Sequence, residues 1–466
     1  MLNYVVDLIT PPLNAVKKLL VGDLQWRDIK SILSSAMPIG TKFLTGMQAR
    51  DRRLYIDTPQ DPTEIYGFNY GLLGLILPYN VAYMRPKNES TTKIKALLNE
   101  VDSLPESRKY YQHFSDLSNT PMFIATSGVE GTIMRKKFVA LLPNSRKALE
   151  TAIAQTKAAN IPLSLPEHRE DQLIRAINEG AEKLIRSIML ELMLDLQWMT
   201  PYTNTLLDRI STVLLQPYVT DSTIKHDYHK FVRCIVNNFL ENSNNPGSSP
   251  LAKIIEAKKK LIDWTKPEAQ KELLNELCED SEIHALFTAL ITANNIATLV
   301  RVTLFNFDKL ETLNYMKKIA NEIGNNQTTE QDFSAILNSK SLDCVYKEAL
   351  RISHLVPNTI LRYVSKPLSS DGITIPAKTT LTILHRDLQN DDDAFNPNNF
   401  EKDNALKLGT PAFAPFSLGD RACPGQDLTK KIFKGVISTF ARSKALDEAL
   451  AAKIAEQSVA PTIALK

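Results

Sequence analysis

Apolar residues recur at helical spacing along most of the chain. Positions three and four apart share an apolar face through Lys93–Val101, Ser145–Ala158, Asp171–Gln197, Thr205–Leu215, Tyr228–Leu240 and Leu251–Trp264. That spacing predicts amphipathic helices packed on a common core. Extended apolar stretches are shorter: Leu54–Ile56, Gly74–Met84 and Gly372–Leu384. The last, GITIPAKTTLTIL, alternates β-branched residues about a Pro-Ala-Lys turn and predicts a hairpin. NSNNPGSSP, Asn242–Pro250, predicts a loop between two helices. His284–Phe307 is apolar nearly all round, which predicts one long helix through the interior with Asn294 and Asn295 at its centre. Those amides and Arg301 argue against a membrane span. The pattern predicts a mainly α fold with a minor β component, roughly 54–84 and 362–384, in a single domain over 1–466.

Composition refines this little. The 466 residues are 43% hydrophobic and 23% charged, the balance of a globular protein. A net charge of +3, from 55 basic and 52 acidic residues, gives no argument for nucleic acid or a polybasic membrane surface. The N-terminal MLNYVVDLITPPLNAVKKLLVGDLQW is interrupted by Asp7 and by Pro11 and Pro12. It predicts neither a signal peptide nor a transmembrane anchor; Leu13–Leu20 reads as a short, packed amphipathic helix. Cys234, Cys278, Cys344 and Cys423 are scattered, with no C-x-x-C pair. A disulfide framework and a zinc finger are both disfavoured, and a reducing, cytoplasmic setting is expected.

The stretch PFSLGDRACPGQDL, Pro415–Leu428, concentrates the chemistry. Gly419 and Gly425 bracket Cys423 and let the backbone turn tightly against a flat object. Pro424 suits the first position of a helix running through Asp427–Phe440, which puts Cys423 at a helix N-terminus where a thiolate is favoured. With Phe416 and Arg421 nearby, such a thiolate suits iron in a large planar cofactor.

The pattern F-x-x-G-x-R-x-C-x-G, Phe416 to Gly425, resembles the cysteine loop of the cytochrome P-450 superfamily. The resemblance implies that Cys423 is the proximal ligand of a heme b and that Arg421 pairs with a heme propionate. A second motif lies upstream in KEALRISHLVP, where Glu348 and Arg351 form E-x-x-R on one helix face. The order that follows, a β region, HRD at His385–Asp387, FNPNNF at Phe395–Phe400 and then the cysteine loop, is similar to the family's. Asn399 stands where the family usually has the arginine of a Glu-Arg-Arg network. The resemblance also implies cofactor contacts for Arg362, after the E-x-x-R helix, and for Arg135, in GVEGTIMRKKF. Arginine suits that role because its planar fork binds carboxylates in pairs. The family's frequent Trp or His four positions before that arginine is Gly131 here. The resemblance is clear from about Ala285 onward.

On the central helix the chain departs from the family. Its monooxygenases carry an acid-alcohol pair there that relays protons during oxygen activation. The corresponding stretch is ITANNIATLV, with Thr298 as the alcohol but Ala297 before it, and no carboxylate between Glu282 and Asp308. Asn294, Asn295 and Thr298 are the candidate catalytic residues. The amides can position a water or a peroxide but cannot act as general acids; alternatively they satisfy backbone groups in a helix bulge. The resemblance implies a monooxygenase acting on a lipophilic small molecule, fed electrons by a separate ferredoxin or flavoprotein reductase. A peroxygenase or fatty-acid-hydroperoxide isomerase or lyase, needing no reductase, is the alternative. A central-helix asparagine favours it, while the compact cysteine loop and Val302 after Arg301 do not match those branches. A heme-binding protein without turnover is the third reading.

Overall fold

Helix starts follow local chemistry. Asn144 caps one helix by accepting from the Lys147 N–H at 2.8 Å, and Ser249 caps another by accepting from Ala252 at 3.2 Å, with Pro250 next. Asp280 takes two backbone donors, Glu282 and Ile283, at 2.8 and 3.2 Å. Each cap satisfies amides that the first turn leaves without partners.

The structure, a computed structural model, describes residues 66–68, 80–84, 91–159, 161, 170–195, 199–214, 222–241, 248–263, 266–306, 309–324, 329–353, 360–370, 373–375, 377–383, 394–401, 407–410 and 413–459. All fall in the unit Pro62–Lys466. The expected elements at Leu54–Ile56 and Leu13–Leu20, the HRD motif at His385–Asp387 and most of the 242–250 loop lie outside the described residues.

The helices are α1 (Thr91–Ser103), α2 (Gln112–Ser118), α3 (Gly128–Leu141), α4 (Ser145–Ala158), α5 (Glu170–Met193), α6 (Pro201–Leu214), α7 (Ser222–Glu241), α8 (Pro250–Lys259), α9 (Pro267–Cys278), α10 (Ser281–Thr292), α11 (Asn294–Phe305), α12 (Leu310–Ile323), α13 (Thr329–Asn338), α14 (Lys340–Ser353), α15 (Gln426–Ala441) and α16 (Lys444–Val459). The strands are β1 (Tyr66–Phe68), β2 (Asn80–Met84), β3 (Ile360–Val364), β4 (Leu368–Ser370), β5 (Ile373–Ile375) and β6 (Thr379–Ile383). The main apolar core is helical, with α11 packed between α5 and α14. A smaller cluster, including Leu97, Leu98, Ile375 and Leu381, lies under the β region.

Two expectations are corrected. GITIPAKTTLTIL is not a hairpin. β5 pairs with β4, while β6 pairs antiparallel with β3 and parallel with β2, in the order β1-β2-β6-β3. Pro376 has no N–H for a ladder, and Lys378 turns at φ 56°, sending the two arms to different sheets. The long central helix is two helices. At Ala293 the ladder slips to three-residue spacing: Ala293 N–H donates to Leu290 O at 3.2 Å and Ile296 N–H to Ala293 O at 2.9 Å. Such tight turns mark functional hinges or strained sequence. Ser281–Phe305 is long and apolar enough to cross a membrane, but 75% of its most apolar window is buried within the protein.

Candidate functional site

The cysteine loop is held by bonds from both directions. Cys423 N–H donates to Phe416 O at 2.8 Å and Ala422 N–H to Gly419 O at 3.1 Å, closing a tight double turn. The turn needs left-handed backbone, φ 66° at Ser417 and 77° at Gly419. A side chain at Gly419 would also meet Asn99 Oδ1 at 2.5 Å. That oxygen accepts the Asp420 N–H at 2.8 Å, so α1 pins the loop from outside. α15 starts at Gln426 with Gly425 as its cap; Pro424 therefore precedes the helix and is not its first residue.

Cys423 faces a cavity of about 390 Å³. Its walls are largely apolar, among them Phe114, Phe138, Met189, Ala289, Ile296 and Leu299. Cys423 is exposed to the cavity, yet desolvation by the protein around it pushes its thiol pKa up, opposed by the Gly425 N–H and the Arg135 cation. Arg135 lies against the loop, donating to Ala422 O from Nε at 3.2 Å and Nη2 at 2.6 Å. All four cysteines are free.

One edge of the cavity is cationic. Arg108, Arg135, Arg362 and Arg421 all line it. Arg421 donates through Nη2 to the carbonyls of Phe123, at 2.6 Å, and Thr126. Its Nη1 is buried with no partner among the described residues. A buried cationic donor without an acceptor is costly unless an anion arrives. Arg362, 1% exposed, pairs with Asp102: Nη2 donates to Oδ2 at 3.2 Å, and Nε lies 2.5 Å from Oδ1 as an ion contact without hydrogen-bond geometry. Arg108 donates from Nε to Ile124 O at 3.0 Å and stands 3.8 Å from Asp102 Oδ1. Desolvation, then the neighbouring Arg362, pull its pKa down to about 9.

Gly131 is explained by Arg421. A Cβ at 131 would lie 2.1 Å from Thr126 O and 2.6 and 2.7 Å from the two terminal nitrogens of Arg421. The arginine of the cysteine loop occupies the space that a large side chain on α3 would need.

Glu348 and Arg351 form a buried pair, 0% and 3% exposed, with Nε to Oε2 and Nη2 to Oε1 both at 2.7 Å. The third partner is backbone. Ala394 O accepts from Arg351 at 3.0 Å, and Asn396 N–H donates to Glu348 at 2.6 Å. Asn399 N–H serves the 3₁₀ turn by donating to Asn396 O at 3.1 Å; no hydrogen bond of its side chain to the pair is seen among the described residues. The amide thus does not replace the absent arginine; the chain itself does.

On the central helices, Asn295 lines the cavity and Asn294 and Thr298 do not. The Thr298 hydroxyl donates to Asn294 O at 3.0 Å and accepts from Arg301 Nη2 at 2.6 Å. Thr288, about two turns into α10, also reaches the wall, its hydroxyl donating to His284 O at 3.0 Å. The site thus gathers Cys423, Phe416, Gly425, Arg421, Arg135, Arg362 and Asn295 at one cavity. Gly419 shapes the loop behind it, while Glu348 and Arg351 form the supporting network and Asn399 lies in the adjoining 3₁₀ turn. Sequence reasoning missed Asp102, Arg108, Asn99 and Thr288. No motif marks them: Asn99 and Asp102 act across 321 and 260 residues, Arg108 reaches Ile124 across 16, and Thr288 is marked only by its place on the cavity wall.

The residues present fit a heme. The thiol faces an apolar cavity, and the unpartnered Arg421 Nη1 awaits an anion at its edge.

Residues 195–442 match the family model for cytochrome P450. Cytochrome P450 4c3 of Drosophila melanogaster is 30% identical over 138 residues, 28% of this chain and 26% of that protein. Germacrene A acid 8-beta-hydroxylase of Inula hupehensis is 28% identical over 172 residues, 34% of each chain. The matched segments thus span only about a quarter to a third of these relatives' lengths. Among solved structures, CYP175A1 from Thermus thermophillus aligns over 90% of both chains with TM-score 0.51 and 16% identity. The retinoic acid-bound cyanobacterial CYP120A1 aligns over 80% of this chain and 87% of its own, with TM-score 0.52 and 14% identity. These likenesses give the fold, and the family model covers more than half the chain. The chain belongs to the cytochrome P450 family.

Proposed function

We propose that the protein is a heme-thiolate monooxygenase that hydroxylates a lipophilic small molecule with electrons from a separate ferredoxin or flavoprotein reductase. The observation that carries this reading is a thiol facing an apolar cavity with a cationic edge: Cys423 and Arg421 both line it, and Arg421 Nη1 has no partner among the described residues. Cys423 would ligate the iron of a heme b, and Arg421 would pair with one of its carboxylates. Arg135 holds the Ala422 carbonyl and steadies the thiolate electrostatically. Heme supplies the redox-active iron at which oxygen is activated. The apolar walls select a lipophilic substrate and exclude water. The relative named germacrene A acid 8-beta-hydroxylase supports hydroxylation as the reaction. The heme domain is proposed as one unit, working in the cytoplasm.

A second reading, peroxide-driven chemistry, has its own observation. The wall that α10 and α11 present offers Asn295 and Thr288 but no carboxylate, and Thr298 is turned to Arg301. An amide can orient a peroxide but cannot deliver protons.

Reduction under carbon monoxide tests the first claim: thiolate-ligated heme gives a strongly red-shifted Soret band, lost in Cys423→His. A folded, heme-loaded protein without that band overturns the assignment. Turnover of a panel of fatty acids, terpenes and sterols, with a reductase or with hydrogen peroxide or a fatty-acid hydroperoxide, separates the readings. Product only with the reductase supports the monooxygenase; product only with peroxide supports the alternative. Silence in both, with intact heme, favours a heme-binding protein without turnover.

A further inference from the structure

One hydroxyl on the cavity wall is left unused. Thr429, at the end of the first turn of α15, lines the cavity together with Cys423, Pro424 and Gly425 and is 9% exposed. Its backbone N–H donates to Gly425 O at 2.8 Å, as the helix requires. Its side chain behaves differently from other threonines of the chain. Thr288, Thr298 and Thr439 each return the hydroxyl to the carbonyl four residues earlier, at 3.0, 3.0 and 2.8 Å. The Thr429 hydroxyl makes no hydrogen bond among the described residues. A helical threonine has two favoured positions for that oxygen, so pointing away from its own carbonyl stores no strain. A filled cavity excludes water, and a hydroxyl left there without a partner is costly.

The sulfur borders the same space. A methyl carbon built on Gly425 would meet Cys423 Sγ at 3.8 Å and Thr429 Oγ1 at 4.0 Å. Glycine leaves that space open to both atoms. A neutral thiol accepts hydrogen bonds weakly, but a thiolate is a charged acceptor, and in a poorly solvated place each donor counts for more. We propose that the Thr429 hydroxyl donates to the Cys423 thiolate and so restrains the electron density that the sulfur pushes onto the iron. The inference rests on the heme reading above. Thr429 is a positioning residue, acting on the metal through Cys423. Density from the sulfur favours the oxidised metal, and a hydrogen bond at the sulfur favours the reduced one.

Thr429→Val keeps the shape of the side chain and removes the donor. The holoprotein is equilibrated with a redox dye of known potential, and the ratio of ferric to ferrous protein is read from the spectrum. In Thr429→Val that ratio rises by at least about threefold, the net worth of a modest hydrogen bond. Thr429→Ser keeps a donor, and its ratio stays within about twofold of the unmodified protein. An unmoved ratio in Thr429→Val overturns the proposal. An equal shift in both variants also overturns it, because the cause is then packing and not the hydroxyl. The carbon monoxide band of the unmodified protein is recorded alongside. Its absence refutes the heme-thiolate reading itself, whereas its presence with an unmoved ratio refutes only the role of Thr429.

Discussion

Replacing Gly131 by alanine sets two known effects against each other. In a helix interior, Gly→Ala stabilises by about 1 kcal/mol. At Gly131 the new methyl carbon would lie 2.1 Å from Thr126 O and 2.6 Å from Arg421 Nη1. The first obstacle is backbone and the second is an arginine fixed by two carbonyls, so neither yields freely. Overpacking of this kind costs about 1–3 kcal/mol. Gly131→Ala is therefore expected to lose roughly 1 kcal/mol net, opposite to the propensity gain. Because the displaced group is the one with the open Nη1, heme retention falls with it. Denaturant unfolding of the holoprotein followed by circular dichroism measures the first effect, and heme transfer to apomyoglobin the second. Gly131→Trp, closer to the family pattern, is worse on both counts. A Gly131→Ala protein at least as stable as the parent, with unchanged heme retention, would refute the packing of Arg421 against α3.

Three further outcomes follow from the structure. Glu348→Gln leaves Arg351 buried beside Ala394 O without its counter-ion and costs about 3–5 kcal/mol in denaturant unfolding; a loss below about 1 kcal/mol would mean that the backbone contacts suffice. His284, 0% exposed, donates from Nε2 to Cys278 O at 2.9 Å and accepts from the Tyr228 hydroxyl at 2.8 Å, which fixes it neutral. Desolvation foremost, against the Cys278 bond, lowers its pKa from 6.5 to about 4. The unfolded chain takes the proton first, so this contribution is whole above about pH 6.5 and is lost as pH falls toward 4, roughly 3 kcal/mol in all. The acid arm of a stability profile should flatten in His284→Leu/Tyr228→Phe, and an unchanged arm would assign it elsewhere. Asn295→Asp puts a titratable group on the cavity wall and should raise product formed per electron consumed with a reductase by about tenfold, leaving the peroxide-driven rate alone; equal effects in both assays would remove Asn295 from proton delivery.

What could be read in the sequence was local. Ser145–Ala158 shows its helix in its spacing, and its observed bounds are the same. The Cys423 loop and the Glu348–Arg351 pair are visible because all their residues lie within a few positions of each other. The hairpin reading at Gly372–Leu384 failed because strand partners are chosen by burial, not by adjacency: Ile375 and Leu381 both enter the smaller core, but from different sheets. The central helix reads as continuous because hydropathy does not register the three-residue hydrogen bonds at Ala293. Asp102 looks like any acid at the end of an amphipathic helix. Only the fold shows that it meets Arg362, 260 residues away.

That separation bears on how the protein is made. Arg421 meets Phe123 across 298 residues, Arg135 meets Ala422 across 287, and β2 lies beside β6. No segment emerging early from the ribosome can complete the edge of this cavity, since its far half is translated nearly 300 residues later. Closing such long loops is slow relative to local helix formation. Until then the nascent chain carries guanidiniums and a carboxylate with nothing to face, on helices whose apolar sides are already formed. On the heme reading, the prosthetic group is expected to enter only after both halves of the edge are made, and its supply then raises the native fraction by mass action. In a cell starved of heme, the expected phenotype is loss of the polypeptide itself, not an accumulating inactive pool.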